Sequence, residues 1–320
     1  MKPKIFITRM MDEQVAAPLR EKFDVRMWES ETEPVPRTVL LKEAADAEAL
    51  WTVISDRIDR EIIEAGKKLR IIANMAVGFN NIDIEAAKEH DVVVTNTPDV
   101  LTETTADLTF ALLLSTARQL TVAESELRKG NWKSWSPMQY TGMDAGGATI
   151  GIVGMGRIGE AVARRAKGFN MTVLYHNRNR KPDAEAAYGF EYRELDDLLK
   201  EADFVVLLTP YTKETAGLIG ARELALMKKT AVLINVSRGG IVDEAALYNA
   251  LKDHTIWAAG LDVFETEPVP LENPLLTLPN VTVLPHIGSA SIRTRLAMMK
   301  LNAQAMVDVL EGREPENRVE

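Results

Sequence analysis

Three ionisable residues of the C-terminal half each follow a segment that is predicted to be a β-strand: Arg238, Glu267 and His286. Ligands of parallel sheets bind outside the carboxyl ends of the strands, so a histidine there is a good general acid or base. The planar guanidinium of Arg238 can hold a carboxylate bidentately. The segment of Glu267 also contains Asp262 and Glu265, and a glutamate beside an imidazole would stabilise its protonated form and fix its tautomer. Each residue alone would more often be structural, but together they predict proton transfer on a substrate that carries a carboxylate.

A glycine-rich turn upstream predicts the partner of that proton transfer. Segment 148–153 is apolar and β-branched, and segment 160–167 has helical spacing, so the glycines lie where a strand turns into a helix. Gly154 permits the tight turn, Gly156 lets the backbone approach a pyrophosphate, and Gly159 lets helix and strand pack closely. Free N–H groups at the helix N-terminus attract phosphates. The pattern predicts a bound dinucleotide that donates hydride, with these contacts: Gly154, Gly156, Arg157, Ile158 and Gly159.

The end of the next predicted strand bears on which dinucleotide binds. An NAD site usually has Asp or Glu about 20 residues after the glycine motif, to accept from the ribose 2′-hydroxyl. Here no carboxylate occurs before Asp183, and Asn177 can bond a ribose or phosphate oxygen without adding negative charge. Arg178 and Arg180 can meet a 2′-phosphate with charge-assisted hydrogen bonds. The alternative is that they merely solvate an exposed loop. We predict NADPH over NADH, with Arg178 the main contact and Arg180 secondary.

The other three histidines suit structural roles better. His90 and His254 end helical patterns, where an imidazole can cap carbonyls. His176 ends the second strand of the dinucleotide segment and lies on the adenosine side. The sequence has no cysteine and no metal-binding motif such as HExxH, so we expect neither disulfides nor a metal site.

The elements that position these residues alternate between strand and helix. Strand patterns fall in two groups, about five in 1–98 and six or more in 148–286, with helical patterns between them. Such alternation predicts α/β architecture with two doubly wound parallel-sheet domains, of which the later one binds the dinucleotide. A single long helix is predicted from about Thr102 to Lys129, followed by a tryptophan-rich loop, and a last helix from Ser289 to Leu310.

Composition excludes several classes of partner. The 320 residues carry a net charge of -9, which argues against nucleic acid or an anionic membrane as the main partner. No apolar run approaches the roughly 20 residues of a membrane span, and the N-terminus lacks a signal-peptide pattern. We expect a cytoplasmic protein with a small-molecule ligand.

Taken together, these motifs resemble the D-2-hydroxyacid dehydrogenases. The resemblance covers essentially the full length, and the stretch from Asn96 to Trp135 is most similar to the glyoxylate/hydroxypyruvate reductases of that family. The matching motifs are VGMGRIGEAVARR at 153–165, NVSRGGIVDEAAL at 235–247, AAGLDVFETEP at 258–268, LPHIGSAS at 284–291, MAVGFNNID at 75–83 and TPDVLTETTADLT at 97–109.

The resemblance implies an organisation that the pattern alone does not show. Residues 1–99 and 288–320 would form a flavodoxin-like substrate (catalytic) domain, and residues 100–287 a Rossmann-type dinucleotide-binding domain. A homodimer is implied, with the helices near 102–130 exchanged across the interface. Trp132 or Trp135 would then reach the partner's active site or serve as an interface anchor.

The resemblance also implies roles for individual residues. His286 is the acid/base paired with Glu267, and Arg238 binds the substrate carboxylate and polarises its carbonyl. Further substrate contacts would come from Val77, Gly78, Ser289 and Arg293. Further cofactor contacts would come from Thr104, Pro210, Val236, Asp262, which would hold the nicotinamide amide, and Gly288.

The expected activity is reduction of short 2-keto acids, glyoxylate and hydroxypyruvate, to D-2-hydroxy acids with NADPH, NAD remaining possible. Two enzymatic alternatives stay open, a 2-ketogluconate reductase and a phosphoglycerate dehydrogenase. From a different class, the same fold serves as a nucleotide-sensing module in corepressor-like proteins.

Overall fold

The computed structural model describes residues 2–319 and divides them into two compact units. Unit 1 comprises the chain up to Leu101 together with the chain from Ser289 onward, and unit 2 comprises Thr102–Gly288. Each unit is built on one sheet whose strand pairs are all parallel. The prediction of two doubly wound parallel sheets is therefore confirmed.

Unit 1 carries a five-stranded sheet in the order β2-β1-β3-β4-β5, which is the flavodoxin-like order. Its strands are β1 (Lys4–Ile7), β2 (Asp24–Met27), β3 (Ala49–Val53), β4 (Ile71–Met75) and β5 (Val93–Thr95). Its helices are α1 (Glu13–Lys22), α2 (Arg37–Ala44), α3 (Arg60–Ala65), α4 (Ile84–Glu89) and, after the return of the chain, α12 (Ile292–Leu310). Side-chain oxygens of Asp12, Asp59 and Asp83 cap the first turns of α1, α3 and α4, as their sequence positions favour.

Unit 2 carries seven strands in the order β12-β11-β10-β9-β6-β7-β8, so the chain reverses direction across the sheet between β6 and β9. Its strands are β6 (Thr149–Val153), β7 (Thr172–His176), β8 (Glu191–Tyr192), β9 (Phe204–Leu207), β10 (Val232–Asn235), β11 (Ala258–Leu261) and β12 (Val281–Val283). Its helices are α5 (Thr102–Ala117), α6 (Leu120–Arg128), α7 (Arg157–Gly168), α8 (Pro182–Tyr188), α9 (Leu195–Glu201), α10 (Ala221–Leu226) and α11 (Glu244–Lys252). This is the dinucleotide-binding order with one further strand, and it puts the switch point beside the glycine-rich turn.

The single helix predicted from Thr102 to Lys129 is wrong, because two helices occupy that segment. α5 ends at Ala117, whose carbonyl accepts the N–H of Met143 at 2.8 Å instead of an N–H of its own helix. Gln119 then adopts a left-handed conformation (φ 52°) before α6 begins. The break is imposed by a segment more than twenty residues away, so the local spacing between Thr102 and Lys129 contained no sign of it.

Three short elements have weak sequence patterns. α8 begins with Pro182 in its first turn, and β8 has two residues. β2 lies at the edge of its sheet and alternates between exposed and half-buried residues. Such elements bury little apolar surface, so their patterns are weak. None of the helices within residues 2–319 is long and apolar enough to cross a membrane.

Close packing of helix on sheet gives a stability prediction. A Cβ added at Gly260 of β11 would lie 2.5 Å from Thr116 Oγ1 and 2.9 Å from Leu112 Cγ, both on α5. Gly260→Ala should therefore lower the free energy of unfolding of unit 2 by about 1–3 kcal/mol through overpacking. Denaturant titration followed by circular dichroism measures this.

The matched control is Gly168→Ala at the end of α7, where an added Cβ meets no described atom within 4 Å. That change should leave stability unchanged or raise it by about 0.4–1 kcal/mol. Equal destabilisation by both substitutions would show that the packing of α5 on β11 is not the cause.

Candidate active site

Glu267 and His286 form a hydrogen-bonded pair at the carboxyl ends of β11 and β12. His286 Nδ1 lies 2.6 Å from Glu267 Oε2, and the two side chains are 30% and 32% exposed. Because a carboxylate can only accept, Nδ1 carries a hydrogen toward Glu267. The other ring nitrogen, Nε2, is therefore the atom that can exchange a proton with a ligand. The structure thus joins two of the three residues that the sequence singled out.

Charge around Glu267 keeps this carboxylate ionised. Burial raises the pKa of Glu267, but the hydrogen bond and charge of His286, the N–H of Phe264 and the charge of Arg238 together bring the pKa below its usual range. Arg238 is half-buried, and burial lowers the pKa of its guanidinium while the charge of Glu267 opposes that shift. Glu267 is therefore close enough to both His286 and Arg238 to interact with each electrostatically.

Two buried polar side chains hold the loops that carry Arg238 and His286. The Asn235 amide donates to the carbonyl of Arg238 at 2.9 Å and accepts the N–H of Ser237 at 3.1 Å. The Asp262 carboxylate accepts the N–H groups of Ile287 and Gly288, both at 2.8 Å. Burial raises the pKa of Asp262, and those N–H groups oppose the rise.

Backbone hydrogen bonds also link Asn235 and Asp262 to each other and Asp262 to the histidine. The N–H of Asp262 donates to the carbonyl of Asn235 at 2.9 Å, and the N–H of His286 donates to the carbonyl of Asp262 at 2.9 Å. His286 itself adopts a left-handed backbone conformation (φ 53°). Residues held in such conformations persist only where their surroundings determine them. The sequence analysis did not single out Asn235. Its position, a polar residue at the end of a buried strand and three residues before Arg238, could have indicated a role in holding the loop.

Gly239 lets the arginine loop lie directly against the glutamate loop. A Cβ at Gly239 would lie 1.8 Å from the carbonyl carbon of Phe264, so any larger residue would separate the two segments. A reciprocal pair of bonds reinforces the contact, since Glu244 and Glu265 each accept the other's backbone N–H, at 2.6 and 3.1 Å. The spacing of Arg238 and Glu267 therefore depends on Gly239.

The glycine-rich turn has the geometry that a dinucleotide requires. Gly154 adopts φ 106° and lies against the backbone of Leu208 and Thr209, while a Cβ at Gly159 would lie 2.3 Å from the carbonyl oxygen of Gly154. At Gly156 an added Cβ would meet no described atom within 4 Å, so the backbone there faces open space. Gly156 is the N-cap of α7 and has no side chain to cap the helix N-terminus. The turn therefore fits a pyrophosphate held by backbone N–H groups.

The two arginines of the loop after β7 have different surroundings. Arg178 is exposed, and among the described residues no hydrogen bond or ion pair engages it. Arg180 instead donates from Nε and Nη2 to Glu185, at 3.1 and 2.6 Å. Asn177 donates to the carbonyl of Asn179 at 2.8 Å. Arg178 alone is thus presented for an added anion.

The remaining predicted residues divide between the units. In unit 1, Asn96 and Asn74 donate to the carbonyls of Val77 and Gly78 at 2.8 and 3.0 Å, and no described group accepts the N–H groups of these two residues. Also in unit 1, Ser289 precedes α12 and Arg293 lies exposed in its first turn. In unit 2, the predicted residues lie in the first turn of α5 or in the connections that follow β9, β10, β11 and β12: Thr104, Pro210, Val236, Asp262 and Gly288.

The other histidines have structural surroundings. His90 ends α4 and its Nδ1 lies 2.9 Å from the carbonyl of Ala86, as the capping prediction requires. After α11, His254 adopts φ 53°, and its backbone N–H reaches the carbonyl of Leu251. His176 Nδ1 lies 3.1 Å from the carbonyl of Arg193. No cluster of metal-ligating side chains occurs among residues 2–319.

A dinucleotide fold whose strand ends carry an arginine and a histidine–glutamate pair defines an oxidoreductase that uses a nicotinamide cofactor. Residues 110–288 match the D-isomer specific 2-hydroxyacid dehydrogenase NAD binding domain. The chain belongs to the D-isomer specific 2-hydroxyacid dehydrogenase family.

Two known structures and one curated relative show how far the likeness extends. The chain is 51% identical to a glyoxylate reductase of Thermococcus gammatolerans over 98% of this chain and 95% of the relative. A crystal structure of a Thermus thermophilus protein is 44% identical, with a TM-score of 0.92 and coverage of 99% and 100%. The NADPH-dependent glyoxylate/hydroxypyruvate reductase of Sinorhizobium meliloti, in complex with NADP and malonate, is 36% identical, with a TM-score of 0.87 and coverage of 100% and 97%.

The close approach at Gly239 yields a prediction about catalysis. Gly239→Ala should push the arginine loop away from Phe264, and a displacement near 1 Å lowers turnover on the order of 100-fold. Steady-state kinetics with a 2-keto acid measures it. The control is Gly240→Ala, for which the three atoms nearest to an added Cβ belong to the half-exposed side chain of Tyr211, which can move. Equal losses in both variants would contradict the special role of Gly239.

The ionised state of Glu267 yields a prediction about pH. Glu267→Gln replaces the carboxylate that accepts the Nδ1–H of His286. Because the pKa of Glu267 is lowered, this carboxylate stays ionised in the wild type until the pH falls below the usual glutamate range, and its protonation there should lower kcat/KM. The variant should be slower than the wild type at neutral pH and should lack that decline on the acid side. The control is Glu265→Gln, an exposed glutamate that bonds Glu244 instead. Superimposable pH profiles for wild type and Glu267→Gln would refute the pairing as a catalytic one.

Proposed function

We propose that this protein reduces glyoxylate and hydroxypyruvate to the corresponding 2-hydroxy acids. The observation that carries the proposal is the full-length similarity to relatives named glyoxylate reductase, at 51% identity, combined with the Glu267–His286 pair beside Arg238. The glyoxylate/hydroxypyruvate reductase of Sinorhizobium meliloti supports the second substrate. Both substrates pair a carboxylate with an adjacent carbonyl, which matches a cationic group next to a proton donor.

The residue roles in this proposal follow from the geometry of unit 2. Arg238 binds the substrate carboxylate through its planar guanidinium. His286 holds a proton at Nε2 and gives it to the keto oxygen, while Glu267 stabilises the imidazolium that is present before that transfer. The nicotinamide cofactor supplies the hydride. In the oxidative direction, His286 takes the proton back as a general base.

The residues of unit 1 are proposed to add substrate contacts. The carbonyls of Val77 and Gly78 are engaged by Asn96 and Asn74, which leaves the two N–H groups for a carboxylate oxygen. Ser289 and Arg293 are proposed to border the substrate. The cofactor contacts that we propose are the glycine turn, Asn177, Arg178 and these residues: Thr104, Arg157, Ile158, Pro210, Val236, Asp262 and Gly288.

We further propose that NADPH is preferred to NADH. Strand β7 ends at His176 and is followed by Asn177 and Arg178, with no carboxylate that would repel a 2′-phosphate. The exposed, unengaged guanidinium of Arg178 supports a direct phosphate contact. Arg180 was predicted as a secondary contact, but its bidentate pairing with Glu185 favours a supporting role.

A second copy of the chain is the proposed macromolecular partner. Helix α6 has no buried residue within the described chain, and the apolar side chains of Leu120, Leu127 and Trp132 are each more than half exposed. Trp135 and Met138 in the loop that follows are 76% exposed. Apolar surface of this extent in one segment favours burial in a homodimer.

One experiment tests substrate and cofactor separately. Initial rates with NADPH and with NADH are measured against glyoxylate, hydroxypyruvate, 2-ketogluconate and 3-phosphohydroxypyruvate. The first two acids should give the highest kcat/KM, and NADPH should exceed NADH. Arg178→Ala should raise the KM for NADPH about tenfold or more and that for NADH much less, because a charge-assisted contact contributes about 1.5–3 kcal/mol.

The control is Arg20→Ala on α1, whose guanidinium bonds only Glu13 among the described residues. A higher kcat/KM for 2-ketogluconate or 3-phosphohydroxypyruvate would overturn the substrate proposal. A higher kcat/KM with NADH would overturn the cofactor proposal and leave the substrate proposal standing.

A further inference from the structure

The loop that carries Arg178 is tied down at both ends. At its start, the carbonyl of His176 accepts the N–H of Gly154 at 2.9 Å, which joins the loop to the glycine-rich turn. At its end, the N–H of Lys181 donates to the phenolic oxygen of Tyr175 at 2.7 Å. Only four residues, 177–180, lie between these two attachments. The position of Arg178 therefore depends on how firmly each end is held.

Tyr175 is the buried anchor of the second attachment. Tyr175 lies in strand β7 and is 0% exposed. Its ring packs edge-on against the ring of Tyr192, with the two ring centroids 5.6 Å apart. Its hydroxyl accepts from Lys181 and donates to Glu185 Oε1 at 2.6 Å, so both hydrogen-bonding capacities are used. Burial, and then the charge and hydrogen bond of Glu185, raise the pKa of Tyr175, which keeps the hydroxyl protonated.

Arg180 completes the anchor from the loop side. Its Nε and Nη2 bond both carboxylate oxygens of Glu185, and its guanidinium carbon lies 5.2 Å from the centre of the Tyr192 ring. Glu185 is thereby held from two directions, by the guanidinium and by the phenol. The positive charge of Arg180 is paired with the carboxylate of Glu185, whereas Arg178, two residues earlier, has no hydrogen-bonded carboxylate among the described residues and acts on Glu214 only through its charge.

We propose that Tyr175, with Glu185 and Arg180, is a positioning group for cofactor selectivity: it fixes the 177–180 loop so that Arg178 is already placed for the 2′-phosphate of NADP. This inference rests on the proposed preference for NADPH. A loop ordered in advance loses less conformational freedom when the phosphate binds, so the affinity for the phosphorylated cofactor is higher. NADH, which lacks that phosphate, gains little from the same order.

The test uses equilibrium binding rather than turnover. Dissociation constants of NADPH and NADH are measured by isothermal titration calorimetry for the wild type and Tyr175→Phe. The substitution keeps the ring in the core and removes both hydrogen bonds of the hydroxyl. The Kd for NADPH should rise about fivefold to tenfold, in line with the loss of one or two hydrogen bonds, and the Kd for NADH less than twofold.

The control is Tyr192→Phe on the neighbouring strand β8. It also removes a hydroxyl that bonds a carboxylate, that of Glu194 at 3.0 Å, but Lys181 and Glu185 keep their partners. Its ratio of Kd(NADH) to Kd(NADPH) should stay within twofold of the wild-type ratio. A merely structural role of Tyr175 would weaken both cofactors equally, and that outcome overturns the inference.

A double variant asks whether Tyr175 acts through Arg178. In an Arg178→Ala background, Tyr175→Phe should change the Kd for NADPH less than twofold, because the group it positions is absent. A full fivefold effect in that background overturns the inference. If Tyr175→Phe does not fold, Glu185→Gln replaces it, and a selectivity ratio that is unchanged or increased in Glu185→Gln overturns the inference.

Two failures remain distinguishable. A wild type that binds NADH more tightly than NADPH overturns the proposed cofactor preference and this inference with it. A wild type that prefers NADPH, together with an unaltered ratio in Tyr175→Phe, overturns the positioning role alone.

Discussion

The reactive groups of unit 2 depend on two polar side chains buried at the ends of adjacent strands. Asn235 ends β10 and holds the Arg238 loop, and Asp262 follows β11 and holds the His286 loop. Both residues are about 1% exposed. An unpaired polar group at that depth costs on the order of 1–3 kcal/mol, so each side chain is stable only where the loop backbone satisfies it. The same bonds that remove this cost also determine the loop conformations.

These hydrogen bonds explain why the side chains of Arg238, Glu267 and His286 have little conformational freedom although they lie on loops. The backbone bond between Asp262 and Asn235 joins the two buried positions, and Gly239 brings the arginine loop against the glutamate loop. The 2.6 Å contact between Glu267 and His286 then closes the group. Because every link lies at the carboxyl edge of one sheet, the parallel register of β10, β11 and β12 sets the relative positions of the three reactive residues.

The cofactor side of the same sheet follows a different rule. At the glycine turn, the essential property is the absence of side chains, since Gly156 faces open space and Gly159 touches the backbone of Gly154. On the loop after β7, what matters is whether an arginine already forms an ion pair with a carboxylate. Arg180 and Glu185 neutralise each other, whereas Arg178 remains exposed to solvent. Although both arginines are exposed, only the guanidinium of Arg178 is available to bind a phosphate without first breaking an ion pair.

Sequence alone determined the features that local pattern encodes. Alternating strands and helices predicted both parallel sheets, because hydrophobic periodicity marks each element and a parallel sheet needs a crossover between its strands. The rule that ligands bind at the carboxyl ends of strands predicted an arginine, a carboxylate and a histidine at one edge, and the family resemblance assigned the carboxylate to Glu267. Features that depend on distant contacts were decided only by the tertiary structure. The end of α5 is set by Met143, the loop of Arg238 by Asn235, and the pairing of Arg180 by Glu185 and Tyr175. A hydrogen bond between segments that are brought together by folding leaves no periodic trace in either segment, so spacing along the chain could not predict it.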